Sequence, residues 1–159
     1  MIKERENIVL FLIGRLSLRG VEMQFEQNLL SYTDYCALRK SVNWSIYSKE
    51  QAQKALSNSV YTVTVIEDDQ VIGMGRLIGD GIYYVLADIV VHPLYQRKGI
   101  GKKILEMLIS YVDESVPIGG RASIQLISEK GKESFYKKAG FMPIPNDLCG
   151  SGMRKMICK

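Results

Sequence analysis

Histidine is scarce in this chain, with His92 alone in 159 residues. A histidine-built metal site or a Ser-His-Asp triad has little to draw on, and no metal is expected. Cysteine is scarce as well. Cys36, Cys149 and Cys158 are odd in number and widely spaced, which argues against a disulfide framework or a CxxC metal site. A reducing compartment, the cytoplasm, is the expectation. No long apolar run is present: in "NIVLFLIG" the segment Ile8 to Ile13 is too short to span a bilayer. The mixed charges of "KEREN" before it are unlike the positive region of a signal peptide. Residues 1–22 are expected to be an N-terminal extension with an added strand, pairing with a sheet edge in its own subunit or in a homodimer partner. The net charge of +4 is small. It suits an anionic ligand but falls short of the clustered basic surface of a nucleic-acid binder. Neither nucleic acid nor membrane is expected as a partner.

What is present is the composition of one ordinary globular domain over residues 1–159, with 47% apolar and 24% charged residues. "MQFEQN", 23–28, reads as a short strand. "SYTDYCALRKSV" reads as a helix capped by Ser31 or Thr33, and "SKEQAQKAL" as a second helix capped by Ser48. Two β-rich runs around the polar turn Glu67–Gln70 predict a hairpin. "GIYYVLADIVV" is apolar on both faces, as a central strand should be. Ile104, Leu108, Tyr111 and Val112 then mark a helical stripe, "ASIQLI" a strand, and "KGKESFYKKAGF" a short helix closed by Gly140. "MRKMICK" is expected to close the chain as a strand. This order predicts an α/β (mixed α+β) fold, with a mixed, mostly antiparallel twisted sheet of about six to seven strands and helices on both faces.

Between strand and helix stands "VHPLYQRKGIGKK". Gly99 and Gly101 allow close backbone approach, and the helix N-terminus presents unpaired amides to an anion. A Walker A loop is absent. The spacing also fails the dinucleotide fingerprint, because Ile104 fills its third glycine site. Gln96-x-x-Gly99-x-Gly101 after an apolar strand, with "VHPLY" before it and "FYKKAGF" downstream, resembles the GNAT superfamily of acyl-CoA-dependent N-acetyltransferases. The resemblance runs from about Met23 to Lys159. It implies acetyl-CoA as co-substrate, held at its pyrophosphate by backbone amides of Gln96, Arg97, Lys98, Gly99, Ile100, Gly101 and Lys102. It also implies that Ile89, Val90 and Val91 pair with the pantetheine arm as a neighbouring strand would.

Two side chains are candidates for the chemistry. Tyr136 stands where the resemblance implies a tyrosine general acid; an unperturbed phenol, with a pKa of about 10, is protonated at neutral pH. The alternative is a core or rim tyrosine beside Phe135. Asp88 should share a face with Tyr84, Leu86 and Val90, where a carboxylate is costly unless paired or protonated. The resemblance implies a general base acting through water; the alternative is an Asp tied to a backbone amide or a basic side chain. Trp44 and Tyr47 follow the first helix, where the resemblance implies part of an acceptor pocket and packing alone implies a core. Glu129 stands where the family commonly has an asparagine, so that contact is not carried over. The expected acceptor is a small-molecule amine or an exposed protein amine. A non-catalytic acyl-CoA-binding or regulatory module of the same fold is the alternative.

Overall fold

The computed structural model describes residues 14–18 and 21–157, with side chains from Met23 onward. The run at 7–13 lies outside the described residues. Two compact units divide after Gln125.

The first unit is built on a six-stranded sheet in the order β1 (Gly14–Leu18), β2 (Val21–Gln27), β3 (Tyr61–Glu67), β4 (Gln70–Gly79), β5 (Tyr83–Val91), β6 (Ser123–Gln125). The first four pairings are antiparallel and β5–β6 is parallel, so the expected mixed, mostly antiparallel sheet is what forms. The β3–β4 turn is the two-residue Asp68–Asp69, at φ 47° and 58°. Both residues are left-handed, as a tight hairpin matched to strand twist requires.

Helices cover both faces. Between β2 and β3 lie α1 (Tyr32–Ser41) and α2 (Lys49–Ser57), each capped by a serine hydroxyl, Ser31 accepting from Asp34 N–H and Ser48 from Gln51 N–H. Their apolar side, Tyr35, Leu38 and Ala52, packs with Met74 and Val90. On the opposite face lies α3 (Ile100–Ser115), burying Ile100, Ile104, Leu105, Leu108 and Val112. Its approach is close. A Cβ built on Gly75 would stand 2.5 Å from Ile104 Cγ2 and 2.9 Å from Leu108 Cδ1. The residues of β4 therefore alternate: Gly73 and Gly75 look toward α3, Met74 and Arg76 toward α1.

One expectation fails in β5. Between Met74 and Arg76 of β4 the register slips, so that Asp88 and Ile89 together oppose Gly75, and Asp88 takes φ 51°. This bulge switches the alternation. Val90 keeps company with Met74, whereas Tyr84 and Leu86 pair with Gly79 and Leu77 and face α3. Asp88 thus shares a face with Val90 but not with Tyr84 or Leu86, because period-two reading does not survive an inserted residue.

The second unit contains α4 (Glu133–Lys137). Gly140, at φ 88°, ends the helical turn as expected. Phe141 N–H reaches the Tyr136 carbonyl at 3.2 Å and Gly140 N–H the Lys137 carbonyl at 3.0 Å, the paired bonds of a left-handed glycine stop. The expected closing strand is not formed among the described residues 153–157. Met153, Met156 and Ile157 are exposed there, so no buried face exists to fix a strand register.

Candidate active site

The glycine turn is prepared by β5. His92 donates its N–H to the Ile72 carbonyl at 2.8 Å, so by antiparallel alternation the backbone groups of Val91 and Ile89 face the other edge. That edge is open. β6 pairs with Tyr83–Val85 only, and beyond Val85 no strand covers it among the described residues. Its last carbonyl, of Val91, accepts from Gln96 Nε2 at 3.0 Å.

After the 3-10 turn Pro93–Tyr95 the chain alternates in hand: Arg97 at φ 63°, Lys98 of ordinary hand, Gly99 at φ 81°. Such alternation gathers successive N–H groups into a concavity that suits an anion. From Arg97 to Lys102 no backbone N–H has a partner among the described residues, and the first bond at this end joins Lys103 N–H to the Gly99 carbonyl at 3.1 Å. A Cβ on Gly99 would touch nothing within 4 Å. Glycine is required there by the left-handed φ, not by space. Gln96 differs from the expectation. Its N–H turns back to the Pro93 carbonyl at 3.4 Å and its side chain holds Val91, so it braces the turn instead of offering a free amide. Ile100 offers its amide while its side chain is buried in the core. The cationic side chains are exposed: Lys98 Nζ sits 4.8 Å from the Tyr95 ring centre, and Lys102 Nζ lies 3.5 Å from Glu106.

On the α1 face the bulge aims Asp88 between two arginines. Arg39 Nη1 binds Asp88 Oδ1, Arg76 Nε donates to Oδ2 at 2.8 Å, and the Tyr35 hydroxyl donates to Oδ2 at 3.3 Å. Both carboxylate oxygens are engaged. This is the structural tie that stood as the alternative to a general base. Trp44 and Tyr47 lie against the Arg39 guanidinium, at 5.2 and 4.8 Å from their ring centres, with Tyr35 at 5.4 Å. Burial, followed by the charge of Asp88, pushes the Tyr35 phenol up to about 12. Arg39, Arg76 and Tyr35 were not singled out from the sequence. A signal existed for one of them: Arg76 stands in the otherwise apolar strand "GMGRLIG", where a charge demands a partner.

In the second unit the Tyr136 ring packs edge-on to Phe135 and Phe141, at centroid distances of 5.0 and 6.1 Å. Its hydroxyl has no hydrogen-bond partner among the described residues. Burial, then the Glu129 carboxylate, raises its pKa, so it is a proton donor at neutral pH. Among the described residues no cluster of three His, Cys, Asp or Glu could hold a metal ion. No described helix is long and apolar enough to cross a membrane.

Residues 30–156 match the family model of the acetyltransferase (GNAT) domain. Among solved structures, a Staphylococcus aureus protein of unknown function superposes with a TM-score of 0.76 at 33% identity, over 85% of this chain and 99% of that one. A GNAT-family acetyltransferase of Streptococcus pneumoniae gives 0.71 at 26% identity, over 86% and 99%. An uncharacterized N-acetyltransferase of Prochlorococcus marinus is 35% identical over 109 residues, 65% of this chain. That match spans 58% of the relative's own length.

Proposed function

Because this chain belongs to the GNAT acetyltransferase family, we propose that it is an acetyl-CoA-dependent N-acetyltransferase. It acts on a primary amine, of a small molecule or exposed on a protein, by direct attack in a ternary complex. The observation that carries this reading is the run of unpartnered amides from Arg97 to Lys102 at the mouth of α3. A helix N-terminus with a left-handed glycine before it fits a pyrophosphate without any help from side chains. The open edge of β5 offers the backbone groups of Ile89 and the Val91 N–H to the amides of a pantetheine arm. When bound, acetyl-CoA supplies the acetyl group and a thiolate that departs. Tyr136 donates its phenolic proton to that thiolate and recovers one from water. With both oxygens of Asp88 engaged, the proton of the attacking amine is assigned to water, and Asp88 holds the bulge. A reducing compartment such as the cytoplasm suits the free thiols of Cys36 and Cys149.

Calorimetry with CoA and thiol release from acetyl-CoA across a panel of primary amines test the reading together. Amine-dependent release above the amine-free rate is expected. Absence of CoA binding would move the phosphate seat elsewhere. CoA binding without amine-dependent release would make the protein a non-catalytic acyl-CoA-binding module. Tyr136→Phe should lower kcat by about 10²-fold, the lower end for a general acid because a thiolate leaves readily. The acetyl-CoA KM should hold, and the deficit should shrink toward high pH, where the departing thiolate needs no proton. A variant with wild-type kcat at every pH would return Tyr136 to a packing role.

A further inference from the structure

The two arginines beside Asp88 carry more hydrogen-bonding capacity than the fold uses. Arg39 Nε donates to the Ser45 carbonyl at 2.8 Å and Nη1 to Asp88. Arg76 Nε donates to Asp88, and its Nη1 to the Ala55 carbonyl at 2.9 Å and Ser59 Oγ at 2.8 Å. Neither Nη2 has a partner among the described residues. Neither is sealed away, since Thr64 Oγ1 is the one sealed side-chain polar atom without a partner there. Yet the residues themselves are only 7% and 5% exposed. Unused guanidinium donors in nearly buried side chains that still reach solvent point at a small opening.

Charge gives the same answer. Two guanidiniums share one carboxylate, and among the described residues no second acidic side chain is ion-paired to either of them. Two phenols also face the pair, Tyr35 and Tyr47, and Tyr35, with its pKa pushed up to about 12, is neutral at physiological pH. The aromatic rings around Arg39 ease its burial, but they leave an unneutralised positive charge. A second anion would complete the site, and a carboxylate matches guanidinium donors oxygen for N–H.

We propose that Arg39 and Arg76 form a seat for a carboxylate carried by the amine acceptor. The substrate class is then an amino acid, or another amine with a carboxylate close to its amino group. Its placement rests on the acetyltransferase reading above. An arm lying along the open edge from His92 back to Asp88 covers about 13 Å of strand, which brings its acyl end to the bulge. The arginine pair stands on the α1 side of that bulge. The wall beside it is accessible, with Ile46 and Tyr47 of the α1–α2 loop 41% and 44% exposed.

The test measures binding of N-acetyl amino acids, the products of such a reaction, against their carboxamides, on the full-length protein with CoA present. Within a pair the carboxylate should bind roughly 10- to 100-fold more tightly, as a hydrogen-bonded charge requires. Arg39→Lys, which keeps a charge near Asp88 but loses the planar fork, should shrink this ratio at least severalfold while CoA affinity holds. Equal affinity within every pair, or no binding of any carboxylate, would overturn the seat. Turnover of the free amines is scored separately: carboxylate-selective binding without turnover would sink the transferase reading and leave the seat standing.

Discussion

On the α3 face of the sheet Ile104 and Leu108 descend onto Gly73 and Gly75, whereas on the α1 face of the same strands Arg39 and Arg76 meet over Asp88. The first face is joined by apolar contact, which is non-directional and forgiving of small shifts. The second adds to its apolar cluster an ion triad, whose strength depends on geometry and whose desolvation is costly. A sheet that needed only stability would be served by apolar packing on both sides. The charged face stands instead at the bulge, where β5 abandons its alternation and its free edge begins to matter. Packing alone holds one face, and on the other it is joined by a buried charged cluster.

The two faces differ most at Asp88. Asp88→Asn leaves two buried guanidiniums without a counter-charge and should cost about 3–5 kcal/mol in a urea titration. If stability instead holds and kcat falls about 10²-fold with a displaced acidic limb, Asp88 is a base after all. Replacing all three members of the triad, Arg39, Arg76 and Asp88, by apolar residues of similar volume should recover much of the lost stability without recovering acceptor binding.

The two faces also differ in how much of them was legible in the sequence. The α3 stripe followed from helical spacing, and Ile104, Leu108 and Val112 are buried as that spacing requires. The serine caps, the hairpin turn and the Gly140 stop were local signals and were read correctly, because each depends on only a few residues. Asp88 was recognised as anomalous, but its neighbours were misplaced. A bulge is set by pairing between strands, and nothing in "YYVLADIVV" marks the extra residue. Its partners lie 49 and 12 residues away, on a helix and on the adjoining strand. At the glycine turn the motif marks the segment whose amides are free, while the diversion of Gln96 to Val91 needs the fold. The closing strand was read from residue type alone, without a partner to pair with.

The apolar face should yield a smaller effect, free of function. Gly75→Ala forces a methyl group against Ile104 and Leu108 and should cost about 1–3 kcal/mol through overpacking. Affinities for CoA and acceptor, measured per folded molecule, should stay within a factor of about two. A Gly75→Ala protein with unchanged stability would mean that α3 can lift from the sheet. Selective loss of acceptor binding would mean that the two faces are coupled.

The smallest effect is read from a slope. The Tyr35 phenol is raised from its ordinary 10.0 to about 12, because ionising it would place a buried anion beside Asp88. The folded state therefore holds that proton after the unfolded state has released it. Between pH 10 and 12 the folded state binds more protons, so stability is whole below pH 10 and falls as pH rises through that window. One unit into it, near pH 11, the loss attributable to Tyr35 is about 1.4 kcal/mol. Tyr35→Phe should lower stability at pH 7, where it removes the hydrogen bond to Asp88, yet fall less steeply than the wild type above pH 10. Parallel alkaline limbs for the two proteins would show that Tyr35 titrates as an exposed phenol. The Tyr35 hydroxyl would then be open to water, although the residue is only 1% exposed.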